Sequence, residues 1–125
     1  MKTATSALQL FARLTFAVLI VLGVLFWIGT ARALVPVHML LGVLFVLLLW
    51  TLAGLAARAH AGAGIVAFAI VWGLIVLALG MTQTRLMVGS THWVIQVLHL
   101  VVAFAAMGLA ERLAGFIKAS RAAGG

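Results

Sequence analysis

Cysteine is absent from this 125-residue sequence. With it go disulfides, thiolate chemistry, iron–sulfur clusters and covalent c-type haem attachment. Acid is nearly absent too: Glu111 is the sole acidic side chain, against eight lysines and arginines. A hydrolytic triad therefore lacks its acid, and coupled proton or cation transport lacks the mid-membrane carboxylate it ordinarily uses. A zinc or non-haem iron site lacks the carboxylate or cysteine that usually completes it. Lysine occurs only near the termini, at Lys2 and Lys118, so no span carries the internal lysine that a retinal protein needs. Charge of either sign makes up 7% of the chain, where a soluble domain carries roughly a quarter.

What is there instead is hydrocarbon. Two-thirds of the residues are hydrophobic, and they come in long runs that make lipid the solvent for most of the surface. The length allows one domain. A helix needs about 20 apolar residues to cross the hydrocarbon core, and four segments qualify, at about 8–29, 35–57, 64–81 and 92–113. They are helices because a lone strand leaves its backbone unsatisfied in lipid. Pro36 suits a first helical turn, where its missing N–H costs nothing. The turn at 58–62 is small and basic, and the connection at 82–91 ends in Ser90-Thr91, good N-cap chemistry for the fourth helix. Connections this short predict an all-α, up-down-up-down four-helix bundle. The Ala/Gly-rich tail, 114–125, is expected to fray into the cytoplasm. No span carries a continuous polar stripe, so a channel has no evident lining.

The basic residues set the orientation. With both termini inside, Lys2, Arg13, Arg58, Arg112, Lys118 and Arg121 fall on the cytoplasmic side and only Arg32 and Arg85 outside. Trp27 and Trp93 then lie near the outer interface as aromatic anchors. The net charge of +7 is spread over the ends of apolar runs rather than clustered, which argues for headgroup anchors and against nucleic acid. Residues 1–33 have a basic start and an Ala-Arg-Ala end, as a signal peptide does. Their apolar stretch is long for that role, and we expect the segment to be retained as the first span. The expected location is the inner (cytoplasmic) membrane.

Four histidines are the informative residues. His38 opens the second helix, and His92 and His99 open the fourth, all toward the outer side, whereas His60 lies in the cytoplasmic turn. Ionisable groups at such depth are costly and are functional candidates by default. His92 and His99 share a helix face about 10.5 Å apart along the axis, too far to ligate one iron from opposite sides. One of them can instead pair with His38 across the bundle. His99 is the choice because it lies two turns deeper, with His92 as the alternative ligand, a propionate partner or a quinone contact. His60 alone reads as a headgroup contact.

The fourth helix carries a stripe at helical spacing: His92, Gln96, His99, Ala103, Ala106 and Ala110. Gly42 stands one turn below His38, and Ala69, Gly73 and Gly80 share a face of the third helix. Such small residues either make room for a flat macrocycle or form the helix-packing surfaces usual in membranes. Arg32 and Arg85 either snorkel to phosphates or supply cations to haem propionates or a quinone, with Gln83 and Thr84 beside them. Glu111 next to Arg112 reads as a neutralised interfacial pair. Met39, Met81 and Met87 read as packing, and Trp50 and Trp72 as core filling or lipid-facing.

Four short-looped spans with His38, His92 and His99 on the second and fourth helices resemble the four-helix membrane b-type cytochromes, the cytochrome b-561-like group. The resemblance covers the whole chain as an architecture. It implies haem b held by a histidine pair and electron transfer between a quinol or partner subunit and an outer-side acceptor. The cytoplasmic side offers only His60, so it implies one haem per chain, near the outer face, and work within a larger respiratory or photosynthetic assembly or a homo-oligomer. Two other readings are a cofactor-free structural or assembly subunit of such a complex and a pigment-binding subunit using one histidine per chlorophyll magnesium.

Overall fold

The computed structural model describes residues 2–125, Lys2 by its backbone alone. The Lys2 charge counted toward orientation thus lies outside what is described. All regular structure among the described residues is helical: α1 (Lys2–Trp27), α2 (Val35–Arg58), α3 (Ala63–Thr82) and α4 (His92–Gly124), with 3₁₀ turns at Arg32–Leu34 and Gln83–Arg85. All four α-helices are long and apolar enough to cross a membrane. Large apolar side chains line their outer surfaces, Leu40 70% and Phe11 61% exposed among them. In water that surface drives aggregation; in lipid it is the ordinary exterior of a span.

The helix ends are closed by backbone geometry rather than by polar caps. Gly29 ends α1 in the left-handed region at φ 84°. From there the Gly29 N–H donates to the Phe26 carbonyl and the Thr30 N–H to Leu25, the two bonds of a Schellman motif. The end of α2 repeats it, with His60 at φ 65° in the glycine's place and bonds from His60 to Ala57 and from Ala61 to Ala56. His60 is therefore first of all the residue that turns the chain out of α2. Pro36 sits in the first turn of α2, as expected. At α4 the expectation fails: Thr91 is the N-cap, but its hydroxyl caps nothing, and the first turn is held by the Gly89 and Thr91 carbonyls.

Helices α2 and α4 pack against each other and each against both α1 and α3. The core runs from Phe45 to Ala56 on α2 and from Val102 to Ile117 on α4, joined by Ala12, Ala69 and Val76. Lipid tails are as apolar as leucine, so close packing and hydrogen bonds hold such helices together, not hydrophobic drive. Ala53, Ala56, Ala69 and Ala106 are fully buried and let the backbones approach. The two deep tryptophans do more than fill space. Trp50 Nε1 donates to the Ile70 carbonyl at 3.2 Å and Trp72 Nε1 to Val102 at 3.0 Å, tying α2 to α3 and α3 to α4. Gly73 makes the first tie possible, because a Cβ there would overlap the Trp50 indole.

A polar ladder joins α1 to α4 at the end of the bundle away from His38 and His99. Arg121 Nη1 donates to Thr5 Oγ1 at 2.8 Å, and Lys118 Nζ to Gln9 Oε1. Gln9 Nε2 and Arg13 Nε then donate to the two oxygens of Glu111, at 2.5 and 2.6 Å. Two readings of the sequence are corrected here. Glu111 pairs with Arg13, not with its neighbour Arg112, because adjacent helical residues do not face each other. The stretch after Ala114 does not fray: α4 runs to Gly124, with Ala114 and Ile117 fully buried. At 33 residues and 1.5 Å each, α4 is about 50 Å long, well beyond a hydrocarbon core of about 30 Å.

Two substitutions check this account by thermal unfolding in detergent. Gly73→Ala is expected to destabilise by about 1–3 kcal/mol through overpacking, and Trp50→Phe in the same chain should recover most of that loss. Glu111→Ala strands the buried Gln9 amide, at a cost of about 1–3 kcal/mol. Glu111→Gln, which keeps an acceptor, should cost clearly less.

Candidate functional site

At the opposite end from the ladder, each of the four helices brings one residue to a single place. His38, at the start of α2, and His99, two turns into α4, face each other with ring centres 6.5 Å apart and planes inclined at 57°. Gly23 of α1 lies beside His38, where an added Cβ would stand 3.8 Å from Cε1. Gly80 of α3 lies beside His99, where it would stand 3.3 Å from Cε1. Phe26 meets the His38 ring edge-on at 5.4 Å. On each histidine Nδ1 is buried and has no hydrogen-bond partner within the protein. Such an atom in an apolar setting costs roughly 1–3 kcal/mol, and here two of them lie on facing rings.

The surroundings differ from the rest of the bundle. On α2 the packed core begins at Phe45, two turns past His38, and on α4 it begins at Val102, just past His99. The histidines thus stand at the edge of the main core cluster, with Leu22 of α1 and Ile95 of α4 also buried at this end. Gly42, one turn from His38, has open space where its side chain would be.

The remaining expected site residues are spread around this pair. Gln96 is partly buried one turn before His99. Arg32 and Arg85 are exposed, each in one of the 3₁₀ turns that adjoin this end of the bundle. His92 does not join the pair: its Nδ1 donates to the Leu86 carbonyl at 3.1 Å, tying the connection before α4. The expected gathering of three imidazoles is therefore a gathering of two, and among the described residues no cluster of three or more metal-ligating side chains forms. Ala106 and Ala110 are buried in the core, so that part of the α4 stripe is packing surface. Gly23 was not singled out in the sequence. Its only signal is its place near the end of α1, one turn before Phe26.

Chemically, two facing imidazoles can share one electron-pair acceptor between them. In-line bonds of about 2.0–2.1 Å from one metal to two imidazole nitrogens put the ring centres about 6.3 Å apart, whereas a tetrahedral angle puts them at about 5 Å. The observed 6.5 Å between ring centres is within reach of one shared acceptor. The donor set, two neutral nitrogen bases without carboxylate or thiolate, suits haem iron. Compared with known proteins, the chain matches no family, no curated protein and no solved structure.

Proposed function

We propose that this protein is an integral membrane b-type cytochrome that binds one haem b between His38 and His99 and passes electrons between a quinol or partner subunit and an outer-side acceptor. The observation that supports this reading is the pair of neighbouring histidine rings, 6.5 Å between centres, each with a buried Nδ1 that has no partner within the protein. In this reading the helices run up-down-up-down across the inner membrane with both termini inside. The site then lies near the outer face and the polar ladder at the cytoplasmic interface, in keeping with the excess of basic residues at that end.

Haem, when bound, supplies a one-electron couple whose potential the protein adjusts. The chain's own residues do the rest. His38 and His99 would hold the haem iron, from two helices packed against each other in the core below them. Gly23 and Gly80 keep side chains out of the space beside the two rings. Arg32 and Arg85 offer cations at the rim for the propionates or for a quinone oxygen. His92 has its Nδ1 proton committed to Leu86, which leaves Nε2 as a hydrogen-bond acceptor toward a quinol at the outer edge. A chain of this size works with other membrane subunits or as a homo-oligomer.

The test is a reduced-minus-oxidised absorption spectrum of detergent-purified protein from haem-replete membranes, with haem quantified against protein. We expect b-type bands at one haem per chain. His38→Ala and His99→Ala should each abolish them, and His92→Ala should retain them. A colourless wild-type protein, or an unchanged spectrum in His99→Ala, overturns the reading and leaves a cofactor-free subunit. Steric variants make a finer check. Gly80→Val places its bulk against the His99 ring and should lower haem content at least several-fold, whereas Gly42→Ala, which meets open space, should leave it unchanged.

A further inference from the structure

Beyond the last turn of α2, the end of the bundle away from the histidines holds a cleft of ≈ 350 Å³ lined by Leu55, Arg58, Ala59, His60, Ser120 and Arg121. Its walls come from two places that the fold alone unites. Arg58 is the final residue of α2 and His60 the left-handed residue that ends it. Ser120 and Arg121 stand on the part of α4 that projects past that end. Because Ile117 is buried and Arg121 bonds Thr5, this projection is packed and held in place.

The charge here is one-sided. Arg58 and Arg121 bring two guanidinium groups to the cleft, and His60 and Ser120 add polar groups between them. Glu111, the chain's sole acidic side chain, is held by Arg13 and Gln9 on α1 and does not line the cleft, while Arg121 also donates to Thr5 Oγ1. Guanidinium pairs bind phosphate oxygens with directed hydrogen bonds, and phosphate is the anion such a lining would select. The remaining walls are apolar. Leu55 lies one turn before Arg58 and is partly buried against the core, so a ligand that fits has a phosphate head at the level of Arg58 and a hydrocarbon tail running past Leu55 along α2.

We propose that this cleft is a specific site for the headgroup of an anionic phospholipid, with the phosphodiester between Arg58 and Arg121. It holds whether or not a cofactor lies between the histidines, since it uses different residues at the other end of the bundle. A free phosphate shares the headgroup's charge but leaves the apolar wall unused. Basic pockets between spans are a recurrent way of holding anionic lipids. Such a lipid would touch both the α4 projection and the α2 end.

Native mass spectrometry of the intact protein released from detergent tests this without any variant. Wild type is titrated with phosphatidylglycerol and, separately, with phosphatidylcholine of the same acyl chains. We expect one phosphatidylglycerol to be retained at about fivefold lower concentration than phosphatidylcholine, the scale of one well-placed basic residue. Equal retention overturns the proposal. So does displacement of the bound lipid by millimolar inorganic phosphate, which would mark a site for the free anion. Arg58→Gln should bring the two lipids to near-equal retention, whereas Arg112→Gln, which removes the same charge from a neighbouring cavity, should leave the preference intact. Equal losses in both variants would show diffuse surface charge and no site.

Discussion

In hydrocarbon a polar group that finds no partner inside the protein finds none at all, and nearly every feature of this chain follows from that. The backbone answers it with helices, and the ends of α1 and α2 answer it with Schellman bonds that return the last carbonyls to the chain. Thr51 and Thr82 turn their hydroxyls back onto carbonyls four residues earlier, Leu47 and Ala78. The indoles of Trp50 and Trp72 reach across to neighbouring helices. Against that background the paired Nδ1 atoms of His38 and His99 are the exception. They lie on neighbouring rings, each beside a glycine, and that is why the pair is the candidate site.

The spans were legible because the signal for them is a length and a composition, and neither depends on tertiary structure. The pairing of His38 with His99 was legible from the helix ends: one lies at the start of α2 and the other two turns into α4, toward the same end of helices that must neighbour each other. What was not legible has one common cause. The partners of Gln9 and Arg13 lie about a hundred residues away on α4, and their meeting depends on helix rotation, which spans as uniformly apolar as these leave undetermined. Arg13 looked like a headgroup anchor and Glu111 like the partner of its neighbour, because sequence proximity was the only guide. For the same reason Ala114 onward looked like a tail, although its helix has a partner in the first turns of α1. His60 was read by its side chain, whereas its backbone is what the turn uses.

The two ends of the bundle are built on opposite principles, and each end needs the other. Below the histidines, alanines and Gly73 let the helices approach until side chains interdigitate, and the ladder adds directed bonds where the chain leaves the hydrocarbon. Close packing of that kind resists small displacements, because a tightly filled core has few alternative arrangements. A separation of 6.5 Å between two side chains on different helices can be held only if the helices themselves are held. The packed half is therefore what gives the histidine pair its geometry.

That division also settles how the small residues are to be read. Ala106 and Ala110 lie on the same stripe as His99, and on the sequence they offered room for a macrocycle or a surface for packing. Their complete burial against α2 and α1 assigns them to packing, so they leave no room to be occupied. Space beside the imidazoles has to come from their own level, and there the chain places Gly23, Gly42 and Gly80, one on each of the three other helices. Alanine would serve a packing surface as well and cost the helix less. At Gly80 the His99 ring stands close enough that an added Cβ would meet it at a tight 3.3 Å, whereas at Gly23 the His38 ring lies at an ordinary contact distance of 3.8 Å. Gly42 meets neither ring, and nothing lies within 4 Å of where its side chain would be.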